Sequence, residues 1–229
     1  MSSEINVLFF DLFYTLATPK YNALRNEYDV LGITKEEWEK YAEDSELYFG
    51  RAVGMEKDPM RIIEAIIEKM GAEASAVQKD EILRLREERF KRSLSDIDSV
   101  ILEVLFRIKK SGRKICLISN ADIIDVMHWN ESPLSRLFDD AVFSYEAGCL
   151  KPHAEIYRTA LERMNIAPEN SIFVGDGGSD ELRGAKALGI KTVLTCCLTG
   201  GNAGQPSDTG EFTDYYIRDF REIIDIVNL

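Results

Sequence analysis

The sequence predicts an α/β protein, a doubly wound and mostly parallel sheet with a helical bundle inserted after its first strand. Three observations carry that prediction. Short apolar runs recur at 5–10, 114–119, 141–144, 171–175 and 191–195, with helical patterns between the later ones, which is the βαβ rhythm of a Rossmann-like core. From Lys20 to about Asp96 no comparable run occurs, yet apolar residues recur at helical spacing. The length of 229 residues suits one domain with a full core and a modest insertion, stable without a partner.

Taken in order, residues 5–10 are continuously β-prone and end at an acid, Asp11, as strands covered on both faces do. Helical spacing then links Leu24, Tyr28 and Leu31; Trp38, Tyr41 and Tyr48; Ile62, Ile63, Ile66 and Ile67; and Ile82, Leu83, Leu85 and Phe90. Four amphipathic helices are expected, separated by Gly32, Gly54 to Pro59 and Gly71 to Ser75. A helix over 98–111, the strand "KICLIS", a helix after Asp122, and helices near 153–165 and 179–188 complete the alternation. The segment 199–210 is a polar, Gly-rich loop, and "DYYIRDF" with a final apolar helix closes the chain. The core is therefore expected over 1–17 and 97–229, and the helical insert over 18–96.

Charge and cysteine usage exclude several functions. With 40 acidic against 28 basic residues, the formal charge of −12 repels nucleic-acid backbones and anionic lipid. The four cysteines make no CxxC pair and only two histidines exist, so no zinc site is expected and a reducing, cytoplasmic setting is. The run Val7 to Phe10 is too short for a signal-peptide core and lacks a basic lead-in, and no stretch reaches a membrane span.

Ligands of doubly wound sheets sit beyond the carboxyl ends of the strands. The residues at those positions are Asp11, then Ser119, Asn120 and Asp122, then Lys151, then Asp176 and Asp180. Acids gathered this closely repel one another unless a hard cation lies among their oxygens, and Mg²⁺ suits few carboxylates plus a phosphate. A lysine adds a point charge for an anion.

The arrangement resembles the haloacid dehalogenase superfamily through four motifs in order. These are "DLFYT", matching DxDx(T/V) except at its second acid; "CLISN", an apolar strand ending in Ser; "LKPHAEIY", a Lys before Pro and a helix; and "GDGGSD", matching GDxxxD. About 80 residues follow the first motif, whereas 31 separate Ser119 from Lys151, so the resemblance implies a helical cap inserted after the first strand. It also implies the roles. Asp11 would be the nucleophile and a metal ligand, and Thr15 would orient its loop. Ser119 and Asn120 would bind the phosphoryl oxygens, with Lys151 neutralising charge in the transition state. Asp176 and Asp180 would hold Mg²⁺, joined by the backbone carbonyl of Phe13. The substrate would be a small phosphorylated molecule, hydrolysed through an aspartyl-phosphate by a monomer or homodimer.

Phe13 departs from the pattern. In the family's phosphatases that position is an acid that protonates the leaving oxygen, a contribution of about 10² to 10⁴ in rate. Candidates for a replacement are Tyr14 and Glu181. Two other readings stay open: a metal-independent 2-haloacid dehalogenase, whose branch carries an aromatic residue there and a cap arginine, for which Arg25 and Arg51 are available; and a catalytically weak protein that binds a phosphorylated ligand or a protein partner. A plain packing role for the Phe13 ring, and for Tyr21, Tyr41, Tyr48 and Phe49 as bundle core rather than lid, also stays open.

Overall fold

Strand β1 (Val7–Phe10) is buried along its whole length, because both of its faces are covered. Leu8 and Phe10 face one apolar layer with Ile101, Leu105 and Ile108 of helix α6 (Ser99–Lys110) and Ile223 and Ile224 of α11 (Glu222–Ile226). Val7 and Phe9 face the opposite layer, with Ile156, Tyr157 and Ala160 of α9 (Ala154–Met164) and Leu182 and Ala185 of α10 (Glu181–Ala187). Burial of each such side chain contributes roughly 1.5–3 kcal/mol, which is why the strand reads as an unbroken apolar run instead of an alternating one. This computed structural model describes residues 4–199 and 210–228; nearly all of the expected Gly-rich loop lies outside the described residues.

The sheet adds β2 (Lys114–Ser119), β3 (Asp140–Phe143), β4 (Ser171–Gly175), β5 (Lys191–Thr195) and β6 (Tyr215–Ile217). Their order is β3-β2-β1-β4-β5-β6, with every neighbouring pair parallel. The chain leaves β1 toward β2 and β3, then crosses back to the other side for β4, so the order reverses at β1. That reversal opens a crevice beyond the ends of β1, β2 and β4. Phe10 is level with Leu117 and Val174, which brings Asp11, Ser119 and Asp176 to one edge of the sheet.

The insert folds as five helices among the described residues, not the four expected: α1 (Glu27–Leu31), α2 (Lys35–Ala42), α3 (Ser45–Ala52), α4 (Pro59–Met70) and α5 (Ala76–Ser95). The pattern Trp38, Tyr41, Tyr48 is broken at Asp44, whose carboxylate accepts hydrogen bonds from the amides of Glu46 and Leu47 and so starts α3 afresh. Leu24 lies outside any helix and is exposed. Helix α4 follows its signals closely, with Asp58 as N-cap, Pro59 in the first turn and Gly71 in a left-handed cap. Trp38, Ile63, Ile66 and Ile82 form the apolar centre of this layer, which also takes in Ile124 of α7 (Ile123–Val126). Helix α7 follows β2 directly, so the insert packs on the segment that carries the residues past Ser119.

A short helix α8 (Ser144–Ala147) follows β3. Helix α10 starts two residues later than its sequence pattern suggests, because Ser179 and Asp180 both adopt the left-handed conformation, with φ of 55° and 53°. No helix among the described residues is long and apolar enough to cross a membrane.

Candidate active site

Asp11 leaves β1 at the point where the strand order reverses, with its amide donating to the Val174 carbonyl at 2.9 Å. Its two carboxylate oxygens have separate partners: Oδ1 accepts from Lys151 Nζ at 2.5 Å, and Oδ2 accepts from Thr15 Oγ1 at 3.1 Å. Thr15 reaches back because the chain turns tightly, the Leu16 and Ala17 amides both donating to the Leu12 carbonyl. Inside that turn Tyr14 has φ of 63°, a conformation that costs a non-glycine residue on the order of 1 kcal/mol.

Lys151 is buried and lies 2.5 Å from both Asp11 Oδ1 and Glu181 Oε2. Its backbone is clamped by Asn120, whose Oδ1 accepts from the Lys151 amide at 2.8 Å while Nδ2 donates to the Lys151 carbonyl at 3.2 Å. The Asn120 side chain thus joins the end of β2 to the lysine loop. Ser119 is fully buried, with its hydroxyl 3.5 Å from the Asn120 carbonyl. Asp122 points away from this centre and caps α7.

Carboxylate oxygens of Asp11, Asp176 and Glu181 lie within 4.8 Å of one another. Asp180 does not join them: its side chain is exposed and pairs with Arg183 at 2.7 Å. The two left-handed residues before α10 turn Glu181 inward in its place. A Cβ on Gly175 would fall 1.9 Å from Glu181 Oε1, so only glycine leaves room for that side chain. Among the site residues named from the sequence, then, Asp11, Thr15, Asn120, Lys151 and Asp176 are brought together, Ser119 lies just beneath them, and Asp180 is outside.

The electrostatics of the cluster are unbalanced. Burial pushes the Asp176 carboxyl up, reinforced by the Asp11 charge and opposed by the Gly178 amide. Burial pushes Glu181 up to about 8 despite the Lys151 ammonium beside it. Lys151 loses solvation, which favours its neutral form, but Asp11 and Glu181 outweigh that and hold it charged. One ammonium cannot neutralise three carboxylates, and a donor set made only of carboxylate oxygens is the kind a hard divalent cation takes.

A model of the haloacid dehalogenase-like hydrolase family matches residues 5–189. The chain belongs to that family. Among curated relatives, it is 34% identical over 131 residues to a glyceraldehyde 3-phosphate phosphatase of Methanocaldococcus jannaschii, covering 55% of this chain and 54% of that one. The chain spans about half the length of the curated relatives it matches. Among solved structures, the haloacid dehalogenase-like hydrolase YfnB from Bacillus subtilis, bound to magnesium, superposes with a TM-score of 0.71 at 17% identity, covering 99% of this chain and 100% of that one. A 2-haloacid dehalogenase from Pseudomonas syringae superposes with a TM-score of 0.66 at 19% identity, covering 98% of each chain. At these identities the likeness is one of fold, and it extends across the helical insert as well as the sheet.

In this haloacid dehalogenase-like chain, the acidic cluster forms the floor of a cavity of about 580 Å³ roofed by the helical insert. Phe13 lines it, and its ring stands edge-on to Phe90 of α5 at a centroid distance of 5.4 Å. Tyr21 and Tyr48 also line it, whereas Tyr41 packs on the helical layer and Phe49 is half exposed. Arg25 lies on the surface, paired with Glu81.

Three arginines line this cavity, Arg51, Arg86 and Arg89, of which only Arg51 was named from the sequence. Arg51 of α3 donates through Nε to Asp122 at 2.8 Å, and Arg86 of α5 donates through Nη2 to Asp122 at 3.2 Å and Asp125 at 2.9 Å. These buried pairs tie the insert to the segment after β2. Burial, with the Asp122 charge beside it, pushes Asp125 up to about 7 against the pull of both arginines. Arg89, one turn beyond Arg86, donates through Nε to Glu27 at 2.8 Å. A signal for two of them did exist: Arg86 and Arg89 stand four and seven residues after Ile82, on the buried stripe of their helix, where an unpaired charge is costly.

Proposed function

We propose that this chain is a Mg²⁺-dependent phosphatase that hydrolyses a small phosphorylated metabolite through an aspartyl-phosphate on Asp11. The observation that carries the reading is the buried cluster of Asp11, Asp176 and Glu181 against one lysine, which a divalent cation would balance. The phosphatase names of the curated relatives support the reaction class, and the magnesium of the Bacillus subtilis structure supports the cation.

In this mechanism one carboxylate oxygen of Asp11 attacks phosphorus, the P–O bond to the substrate's organic part breaks, and water then cleaves the acyl phosphate to release inorganic phosphate. Thr15 and Lys151 hold the Asp11 carboxylate in place beforehand. Lys151 also faces the charge that accumulates on the phosphoryl oxygens, and Asn120 fixes the lysine's backbone. Ser119 marks the end of the strand that presents the Asn120 amide group. Asp11, Asp176 and Glu181, with the Phe13 carbonyl, would hold Mg²⁺, which when bound would supply charge neutralisation for the same oxygens. We take residues 18–96 as the cap that closes over this floor, and a small soluble substrate in the cytoplasm as its target.

Phe13 offers no proton to the leaving group. Substrates whose organic part leaves without help, such as acyl phosphates and phosphoanhydrides, are therefore favoured over alkyl phosphates. Tyr14 lines the cavity, and burial raises the pKa of its hydroxyl further, so it is a donor and not a base at neutral pH. The 2-haloacid dehalogenase reading keeps one observation in its favour, the aromatic Phe13 itself. Phosphate release from p-nitrophenyl phosphate with Mg²⁺ and after chelation, in wild type and Asp11→Ala, tests the proposal: activity is expected only in the first protein and only with the metal.

A further inference from the structure

Arg89 is more than nine-tenths buried, yet its guanidinium is only half used. Nε donates to Glu27 Oε1 at 2.8 Å, while Nη1 and Nη2 have no hydrogen-bond partner among the described residues. Glu27 does not reach them either, since its Oε2 is itself without a partner. The group is held in place from both sides, with its central carbon 4.4 Å from the Tyr21 ring centroid and 4.7 Å from that of Phe90. Arg89, Tyr21 and Phe90 all line the same cavity as Asp11.

Of the other charges lining that part of the cavity, Lys20 has no ion pair among the described residues, while the acids are paired. Glu39 lies 3.6 Å from Lys35, and Glu43 lies 3.5 Å from Arg51. Arg86 bonds Asp122 and Asp125 through Nη2 alone, and its Nε and Nη1, like Arg51 Nη1, are buried without a partner, so that of the three arginines only Arg89 is stacked against the Tyr21 ring. Tyr14 lines the same cavity as Arg89 and Asp176. A rigid arginine with two neighbouring N–H donors and no acceptor is a preformed receptor for an oxyanion, because the two bonds form in parallel and little side-chain freedom remains to be lost.

We propose that Arg89 is a second anion-binding point of this cavity, so that the substrate carries a carboxylate or a further phosphate on the part of the molecule that departs from Asp11. This rests on the phosphatase reading for the position of the first phosphate, and it narrows the substrate class to doubly anionic phosphate compounds. The cavity volume of about 580 Å³ has room for a small-molecule ligand larger than a phosphate group alone.

The test measures binding, so that it does not depend on turnover. Alkylphosphonates of two to five carbons are titrated calorimetrically in the presence of Mg²⁺ beside matched chains ending in a carboxylate and in a second phosphonate. At least one doubly anionic chain is expected to bind wild type about 10-fold or more tighter than its alkyl match, the carboxylate and phosphonate arms showing which oxyanion fits. In Arg89→Gln combined with Glu27→Gln, which avoids stranding a buried carboxylate, that advantage is expected to vanish. Arg89→Lys, which keeps the charge but not the fork, is expected to retain only part of it. Equal binding of all chains by wild type, or an advantage that survives the double substitution, would overturn the inference. Hydrolysis of p-nitrophenyl phosphate by the same preparation separates the two readings: turnover without ligand preference removes only the inference, and preference without turnover removes only the phosphatase.

Discussion

Phe13 and Phe90 meet edge to face, with centroids 5.4 Å apart and ring planes at 72°, so the position where family phosphatases carry a proton donor is an aromatic contact between the first motif and α5, the last helix of the insert. The contact contributes about 0.5–1.5 kcal/mol beyond its area. Under the phosphatase reading proposed above, the Phe13 side chain also offers no proton to the leaving group. Phe13→Asp is therefore expected to raise kcat/KM for an alkyl phosphate relative to p-nitrophenyl phosphate by about 10²-fold or more, at some expense of stability. Phe13→Leu, which loses the ring without supplying an acid, is expected to show no such gain. Equal effects of the two substitutions would remove the missing proton as the explanation.

Glu181, not Asp180, faces the acidic cluster. Glu181→Gln is expected to weaken Mg²⁺ binding by about 10- to 100-fold in calorimetric titration, the range found when a ligand or its direct support is lost. Asp180→Asn removes only an exposed pair with Arg183 and is expected to change the affinity by less than about 2-fold. The reverse ranking would return the role to Asp180.

Arg86 ties the helical insert to the segment after β2, and its loss leaves buried Asp125 without its cation partner and Asp122 with Arg51 alone. Arg86→Met is expected to lower unfolding free energy in urea by about 3–5 kcal/mol. Arg84→Met, two residues earlier in an exposed pair with Glu88, is expected to stay within about 0.5 kcal/mol.

Asp125 gives the same network a pH signature. Its folded carboxyl keeps its proton up to about 7, whereas an unfolded aspartate loses it near 3.9. Between those values the folded state binds more protons, so this residue's contribution is present at low pH and is lost as pH rises from about 4 to about 7. The difference in unfolding free energy between wild type and Asp125→Asn is expected to fall by on the order of 1 kcal/mol per pH unit across that window. A flat difference would mean that Asp125 is ionised throughout.

Much of this site was legible before any coordinates. Asp11, Lys151 and Asp176 follow apolar runs, and in a parallel sheet the ends of such runs share one edge. The exchange of Asp180 for Glu181 was not legible, because it depends on two consecutive left-handed residues, Ser179 and Asp180, that no propensity favours in a serine. Asp44 hid a helix boundary within a pattern that runs on in phase from Trp38 to Tyr48. The arginines were overlooked for a different reason: Arg86 and Arg89 occupy the apolar stripe of α5, but their partners, Asp122, Asp125 and Glu27, lie more than 30 residues away and only the fold brings them close.

The acidic cluster is proposed above as a cation-dependent phosphoryl-transfer site despite Phe13. The most direct measurement is a paired assay on one preparation: phosphate release from p-nitrophenyl phosphate with Mg²⁺ and after chelation, beside halide release from 2-chloropropionate. Phosphate release that is abolished by chelation and restored by Mg²⁺, with no halide released, is the expected result. Halide release that is indifferent to chelation, without phosphatase activity, would contradict it.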